Sequence, residues 1–316
     1  MSVKNAAGVG RISGASGVGV RPAGYQFPVG LTVSANTGTT TSETIYTTPS
    51  PGTYAFPSSA TGTTAELLIV AGGGASGQTL GGGGGGGGVV FHSAYPYSPA
   101  TPVSISIGAG GVYSPGGSPT RGSDTTFGVY TAKGGGNGKE SNYGNNGPTV
   151  PGGSSGGGNY YDGPTGGLTG GNSQPSQSNP GTTQYGNQGA GGSGYNPANP
   201  GGNYNLGGGG GGGAASNATV NPLSAPDAPY KATSGNAGSG VSLSTSGATL
   251  YYGGGGGGFY QHRSGTGNGG NPIERTTGLA NTTYGQGGSA PGSVTESSGT
   301  PGAVIVKYFT NNFNIN

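Results

Sequence analysis

Residues 65–102 read AELLIVAGGGASGQTLGGGGGGGGVVFHSAYPYSPATP. A short apolar run from Leu67 to Val70 leads into a glycine-rich tract that ends in eight consecutive glycines, and a second apolar run starts at Val89. Ordering a glycine costs more backbone entropy than ordering any other residue, so a folded tract needs partners for its backbone. The two apolar runs predict strands, and the tract predicts a packed, side-chain-free element between them.

The composition excludes several classes of protein. Of 316 residues, 81 are glycine and 23 are proline, together about a third of the chain. The glycines are contiguous and do not recur at every third position, which excludes collagen. No apolar period of 3.6 residues is sustained anywhere, so helices are not expected. We predict an all-β fold with extensive irregular structure.

The charge and cysteine content exclude further classes. Ten Lys and Arg against eight Asp and Glu leave a net charge of +2, too weak and too scattered for a nucleic-acid footprint. No apolar run reaches about 18 residues, so we expect no membrane-spanning segment. The first residues, MSVKNAAGVGRISG, lack the apolar core of a secretory signal. Cysteine is absent, so disulfides do not hold the chain together.

Strands are predicted wherever β-branched and aromatic residues alternate between turn signals. Val103, Ile105 and Ile107 give the clearest half-buried pattern. A hairpin is expected around Gly128. The predicted strands cover residues 25–27, 30–33, 44–47, 53–56, 66–70, 89–93, 102–108, 125–127, 129–132 and 303–309. We predict that the last of these pairs with 66–70, because the chain returns to strand there after a long glycine-rich excursion.

The same patterns predict four regions. Residues 1–24 form an extended arm, either a docking segment or a tail, and residues 25–132 form a β-rich framework with the first glycine tract. Residues 133–301 form a glycine-rich region of tracts and loops, and residues 302–316 contain the closing strand and a tail. The whole is predicted to be a small antiparallel, sandwich-like β module that carries packed polyglycine-II helices and long loops rich in glycine and tyrosine.

The glycine tracts admit two interpretations. Polyglycine can form a polyproline-II-type helix of three residues per turn, which makes no internal hydrogen bonds and so must exchange them with neighbouring helices. The alternative is a flexible linker, but the tracts lack the serine that linkers contain. We favour packed helices. The structural glycines predicted from the tracts are Gly81, Gly84, Gly88, Gly207, Gly210, Gly213, Gly253, Gly256 and Gly258.

Tyrosine is the most informative side chain for function. The chain has 19 tyrosines and no tryptophan, and many of them lie between the tracts. Tyrosine with serine, glycine and asparagine is the composition of adaptable recognition loops. The alternative is that the rings cover the flat backbone of the glycine helices. The candidate receptor-contacting residues are Tyr160, Tyr161, Tyr195, Tyr204, Tyr251, Tyr252 and Tyr260.

Catalytic chemistry has no recognisable signature. The two histidines, His92 and His262, have no cysteine or carboxylate at ligand spacing, and the acidic residues stand singly along the chain. The glycine tracts satisfy a GxGxxG string trivially, but no strand–helix unit surrounds them. We therefore expect no catalytic residues, no metal site, no cofactor and no enzymatic activity.

Four stretches carry a family resemblance: LLIVAGGG, then VVFHSAYPYSPATPVSISIGAGG after the glycine tract, then RGSDTTFGVYTAKGGG, and finally GTPGAVIVKYF. Over residues 60–136 and 299–309 they resemble the glycine-rich domain of bacteriophage tail fibre and tail-tip adhesin proteins. The resemblance implies a virion protein in which a β framework supports polyglycine-II helices and variable loops touch the host surface.

Two functions are therefore expected. The first is a non-enzymatic phage virion protein, a tail fibre or receptor-binding adhesin, whose loops bind a glycan or outer-membrane protein of the bacterial surface. It would be made in the host cytoplasm without a signal peptide and would contact other virion proteins or copies of itself. The alternative is a self-assembling subunit of a filament or extracellular matrix. Polymerisation of the isolated chain would distinguish the two.

Overall fold

The computed structural model describes residues 31–36, 40–45, 52–58, 60–78, 81–114, 118–139, 153–158, 181–191, 205–219, 236–246, 249–258, 260–262, 284–289 and 298–310. These residues form fourteen strands, all in antiparallel sheets, and none of them is helical. The all-β class predicted from the sequence is confirmed. The predicted arm at 1–24 and the predicted strand at 25–27 lie outside the described residues.

The strands in chain order are β1 (Leu31–Asn36), β2 (Thr40–Ile45), β3 (Gly52–Ala55), β4 (Ala60–Val70), β5 (Val89–Pro96), β6 (Pro102–Ser106), β7 (Thr125–Phe127), β8 (Tyr130–Ala132), β9 (Thr182–Tyr185), β10 (Asn205–Gly207), β11 (Val241–Leu243), β12 (Leu250–Tyr252), β13 (Tyr260–His262) and β14 (Ala303–Thr310). One sheet has six strands in the order β1-β2-β14-β4-β5-β9, and a second has four in the order β3-β6-β7-β8. Two pairs, β10-β13 and β11-β12, form small ribbons.

The closing strand β14 lies in the middle of the larger sheet. It pairs with β4 through Val306 opposite Leu67, and on its other edge with β2 through Val304 opposite Ile45. The predicted pairing of the C-terminal strand with residues 66–70 is therefore confirmed. Because β9 follows residue 133 in the chain and also joins this sheet, the glycine-rich region and the framework share one sheet.

The larger sheet is covered on both faces, which explains why β4 and β14 are apolar without alternation. Leu67 and Ile69 point into a core shared with the four-stranded sheet, while Leu68 and Val70 point into a second core on the opposite face. The hairpin of β11 and β12 contributes to the second core through Leu243, Leu250 and Tyr252. The sandwich-like module predicted from the sequence is thus present.

Aromatic rings fill the core between the two sheets. Phe56 is fully buried, stacks on Tyr97 with ring centroids 4.1 Å apart, and meets the edge of Tyr308 at 5.6 Å. Tyr54 lies beside Phe56 at 5.1 Å and Phe127 at 5.9 Å. Burying each such side chain contributes about 1.5–3 kcal/mol, so this core stabilises the sandwich by the hydrophobic effect.

Two short predictions can be compared with the backbone. The hairpin around Gly128 is present, and this glycine has φ +57°, a left-handed conformation that favours glycine. Within the described residues, the strand expected at 44–47 covers Thr40–Ile45, whose sequence TTSETI is largely polar, and positions 46 and 47 lie outside those residues. It forms because β1 and β14 supply hydrogen-bonding neighbours on both of its edges.

Candidate functional site

The strands of the sandwich continue into a second, glycine-built structure. β4 ends at Val70 and β5 begins at Val89, directly opposite. The chain between them continues the pairing without forming a sheet. The backbone N–H groups of Ala71, Gly74 and Gly77 donate to the carbonyls of Gly88, Gly85 and Gly82 at 2.9–3.0 Å. Only every third residue of each segment faces its neighbour.

The tract at 81–88 repeats this period towards three other segments. The N–H groups of Gly82, Gly85 and Gly88 donate to the carbonyls of Lys139, Gly136 and Lys133 in the first segment. Those of Gly83 and Gly86 donate to Gly209 and Gly212 in the second, and those of Gly84 and Gly87 donate to Gly288 and Gly285 in the third. A period of three is what a helix with three residues per turn produces. The polyglycine-II conformation itself stays a prediction, and the structure shows the periodic hydrogen bonding that it requires.

The carbonyls of the tract complete a ring of neighbours. They accept from three further segments, at Gly74, Gly157 and Gly256 among others. Within the described residues, six segments therefore surround the tract, as a rod is surrounded in a hexagonal stack. All eight glycines of the tract are buried. Buried N–H and C=O groups without partners would each cost about 1–3 kcal/mol, and this arrangement supplies the partners.

Residues 71–77 form a second centre beside the tract. They donate to Ser123 and Thr300 and accept from Gly111, Gly135 and Gly288, in addition to their bonds with the tract. We call the whole assembly the glycine bundle. Its described segments are residues 71–77, 81–88, 108–111, 120–123, 133–139, 153–158, 186–190, 208–213, 236–239, 253–258, 284–289 and 298–302.

The bundle leaves no space for side chains at its centre. A Cβ atom added to Gly84 would overlap the carbonyl oxygen of Gly74, closer than real Cβ atoms come to any atom. The same overlap with a backbone carbonyl occurs at Gly81, Gly210, Gly213, Gly256 and Gly258. The other three predicted glycines are placed differently. Gly253 has φ +67°, the N–H of Gly88 donates to the carbonyl of Lys133, and Gly207 of β10 pairs with Tyr260 of β13. Glycine is needed at the central positions because backbones touch there.

Sequence reasoning missed the outer segments of the bundle, such as 120–123, 186–190 and 236–239. They contain few consecutive glycines, because only the positions facing a neighbour must be small. Around 120–123 the buried residues are Pro119, Gly122 and Thr125, with exposed or half-buried residues between them. A small residue at every third position is the signal that would have found them.

Two serines were also missed. Ser154 and Ser155 are fully buried in the segment 153–158. Their hydroxyl oxygens accept hydrogen bonds from the N–H groups of Asn187, at 3.3 Å, and Gly189, at 2.7 Å. These side chains therefore take the place of carbonyl acceptors for the outer segment 186–190.

Asp124 joins two segments where the bundle meets the sandwich. Its carboxylate accepts from the Lys133 ammonium at 2.7 Å and from the Gly134 N–H at 2.9 Å, and Arg121 lies 3.7 Å away. Burial alone would raise the pKa of this carboxyl. The two hydrogen bonds and the neighbouring positive charges outweigh burial, and the pKa of Asp124 lies below its ordinary value.

The segments lie along a common axis that defines a distal end of the bundle, at the level of Gly77, Gly82, Lys139 and Gly157. Residues 133–139, 153–158 and 186–190 run towards it from the sandwich, and residues 208–213 run back. The ribbon of β10 and β13 lies beyond this end, because β10 precedes the returning segment and β13 follows the departing segment 253–258.

The candidate tyrosines fall into three groups. Tyr252 is fully buried in the second core, where burial raises its pKa, so its ring is a packing residue and is not available to a receptor. Tyr251 is half-buried in β12 at the sandwich end of the bundle, and Tyr260 lies in β13 at the distal end. The remaining four, Tyr160, Tyr161, Tyr195 and Tyr204, lie outside the described residues.

Within the described ranges, no group of three or more His, Cys, Asp or Glu side chains is placed to hold a metal ion. His92 is buried beside Tyr95 and Tyr130. The same part of the chain contains no helix long and apolar enough to cross a membrane.

Comparison with known proteins identifies the family of the chain. The family model of the glycine-rich domain matches residues 47–309, most of the chain, so the protein belongs to that family. No curated protein matches the chain.

Proposed function

We propose that this chain is a non-enzymatic structural protein of a bacteriophage virion, a tail fibre or receptor-binding adhesin. In this proposal the glycine bundle is a rigid support that presents tyrosine-, asparagine- and glycine-rich loops to a glycan or protein of the bacterial surface. The chain reaches the virion from the host cytoplasm and contacts other virion proteins or copies of itself.

One observation carries the proposal. The described segments on either side of residues 192–204, the stretch that contains Tyr195 and Tyr204, both meet the distal end of the bundle. The segment before Tyr160 and Tyr161 also ends there, at Gly158. The six-stranded and four-stranded sheets lie at the opposite end, so the fold separates this framework from the end at which the described residues flanking these tyrosine-bearing stretches lie.

Rigidity supports the proposal for a physical reason. Binding by a loop loses affinity to the entropy of ordering it, and anchoring both loop ends lowers that cost. The backbone hydrogen bonds of the bundle anchor both ends of the 192–204 stretch. Tyrosine rings then add contact area with few rotatable bonds.

The experiment is binding of the purified chain to a panel of bacterial strains, with particle size followed by light scattering. The proposal predicts strain-selective binding by a discrete particle. The double variant Tyr195→Ala, Tyr204→Ala should lose most of that binding, while Phe309→Ala, at an exposed ring on β14 of the sandwich, should keep it. Filaments that bind no cells would contradict the proposal and favour the self-assembling subunit.

A further inference from the structure

The outer strand of the six-stranded sheet rests against a buried histidine. Among the described strands, β9 pairs only with β5, from Val89 opposite Tyr185 to His92 opposite Thr182. His92 is only 7% exposed. Gly181, with φ +81°, turns the chain into β9 directly over the imidazole, and a Cβ atom there would lie 3.1–3.2 Å from Cε1 and Nε2. The imidazole thus supports the start of the edge strand.

The hydrogen bonding of His92 fixes its neutral form. Nδ1 accepts a hydrogen bond from the Ala94 N–H at 3.2 Å, so the ring proton is on Nε2. The rings of Tyr95 and Tyr130 stand nearly perpendicular to the imidazole, with centroids 6.0 and 5.7 Å away. A second proton would bind Nδ1 and replace this acceptor with a donor that faces the donor of Ala94.

Among the described residues that pack around His92, no carboxylate faces the ring. Leu67 of β4 lies opposite His92, and the titratable side chains of β5 and β8 whose rings contact the imidazole are those of Tyr95 and Tyr130. Glu66, the neighbouring acidic residue on β4, bonds Lys307 on the opposite face of the sheet. Burial also lowers the pKa of His92. Charging His92 in place is therefore unfavourable.

We propose that His92 is an acid-sensitive latch for β9: a proton from solvent binds Nδ1, the Ala94 hydrogen bond is lost, the charged ring leaves its buried position beneath Gly181, and the edge strand detaches from β5. Because a neutral buried histidine has a lowered folded pKa, the stability that it contributes is complete above the unfolded pKa of about 6.5 and falls as the pH drops below it. β9 leads directly into segment 186–190 of the bundle, so the latch controls how firmly that segment is held.

The test is hydrogen exchange measured by mass spectrometry at pH 7.5 and 5.0, with rates corrected for intrinsic exchange. We expect the amides of residues 182–185 to lose at least tenfold of their protection at pH 5.0, and those of 67–70 to be unchanged. The variant His92→Asn keeps an acceptor for Ala94 but cannot be protonated, so it should abolish the pH effect. His262→Asn, the matched control, should leave it intact.

A second measurement covers the case in which His92→Asn does not fold. The chain has two histidines, so His262→Asn leaves one imidazole resonance to follow by proton NMR. The latch predicts an apparent pKa below the ordinary value. Titration at or above about 6.5, unchanged β9 exchange at pH 5.0, or the same exchange change in His92→Asn would each overturn the proposal.

Discussion

The sandwich and the glycine bundle are both buried, but different interactions stabilise them. In the sandwich, side chains such as Phe56 and Leu67 remove apolar surface from water, which contributes about 25 cal/mol per Å². In the bundle, residues 81–88 have no side chains, and backbone hydrogen bonds to six neighbours satisfy most of the buried groups. Each such bond contributes only about 0.5–1.5 kcal/mol net, so many must form together.

The difference determines what each region tolerates. An apolar core accepts side chains of similar volume, because neighbours repack at a modest cost. The centre of the bundle has backbone in contact with backbone, so no residue other than glycine fits there. The bundle should therefore be the region where conservative changes do the most damage.

The largest effect is expected for Gly84→Val. The new side chain would overlap the carbonyl of Gly74 and break hydrogen bonds on several sides of the tract. We expect a loss of more than about 4 kcal/mol in the free energy of unfolding, measured by thermal or urea denaturation. The control Ala109→Val places a similar side chain at an exposed position and should change stability by less than about 0.5 kcal/mol. Equal stability of Gly84→Val and wild type would show that the tract is not packed.

Phe56→Ala should have the next largest effect and act on the sandwich. It removes a fully buried ring that contacts Tyr54, Tyr97 and Tyr308. A cavity of this kind costs about 3–5 kcal/mol, again measured by denaturation. Phe56→Leu should recover most of the loss, whereas Gly84→Ala should recover little of the loss caused by Gly84→Val. Similar tolerance at both sites would remove the distinction between the regions.

Ser155→Ala tests a hydrogen bond in the outer part of the bundle. It removes the acceptor of the Gly189 N–H and leaves that donor unsatisfied. We expect a loss of about 1–3 kcal/mol and faster amide exchange at Gly189. The exposed neighbour Gln188→Ala is the control and should change neither quantity. Wild-type exchange at Gly189 in Ser155→Ala would show that another group accepts this bond.

Asp124→Asn should have the smallest effect, and it depends on pH. Because the folded pKa of Asp124 is lowered, the stability it contributes is present above the ordinary value of 3.8 and is lost as the pH falls through the folded pKa. The carboxyl is partly exposed, so we expect about 1 kcal/mol at pH 7. Urea denaturation at pH 7 and pH 2 should show a difference between wild type and variant at pH 7 that shrinks at pH 2. A constant difference would assign the effect to packing.

The sequence predicted elements whose signal is local. Alternating side chains located β6, consecutive apolar residues located β4 and β14, and Gly128 located a hairpin. The bundle was predicted only at its uninterrupted tracts. In its outer segments, the positions that must be small are those on the face that contacts a neighbour. The sequence alone does not show which of the three faces that is.

The burial of Tyr252 could not be predicted for a related reason. In the sequence it resembles the other loop tyrosines, next to Tyr251 and before a glycine tract. Its position is set by the pairing of β12 with β11, which turns one of two adjacent rings into the second core. Such a choice depends on strand register and not on composition. The sequence also gave no reason to single out His92, because β9, which pairs with it, was not among the predicted strands.

The most direct test of the account is the amide exchange rate of residues 81–88, followed by mass spectrometry on peptides that cover the tract and β4. If the tract is the hydrogen-bonded centre of the bundle, its amides will be protected as strongly as those of Leu67 to Val70, although it contains no side chain. Exchange at the rate of an unstructured glycine peptide would contradict the account and make the tract a linker.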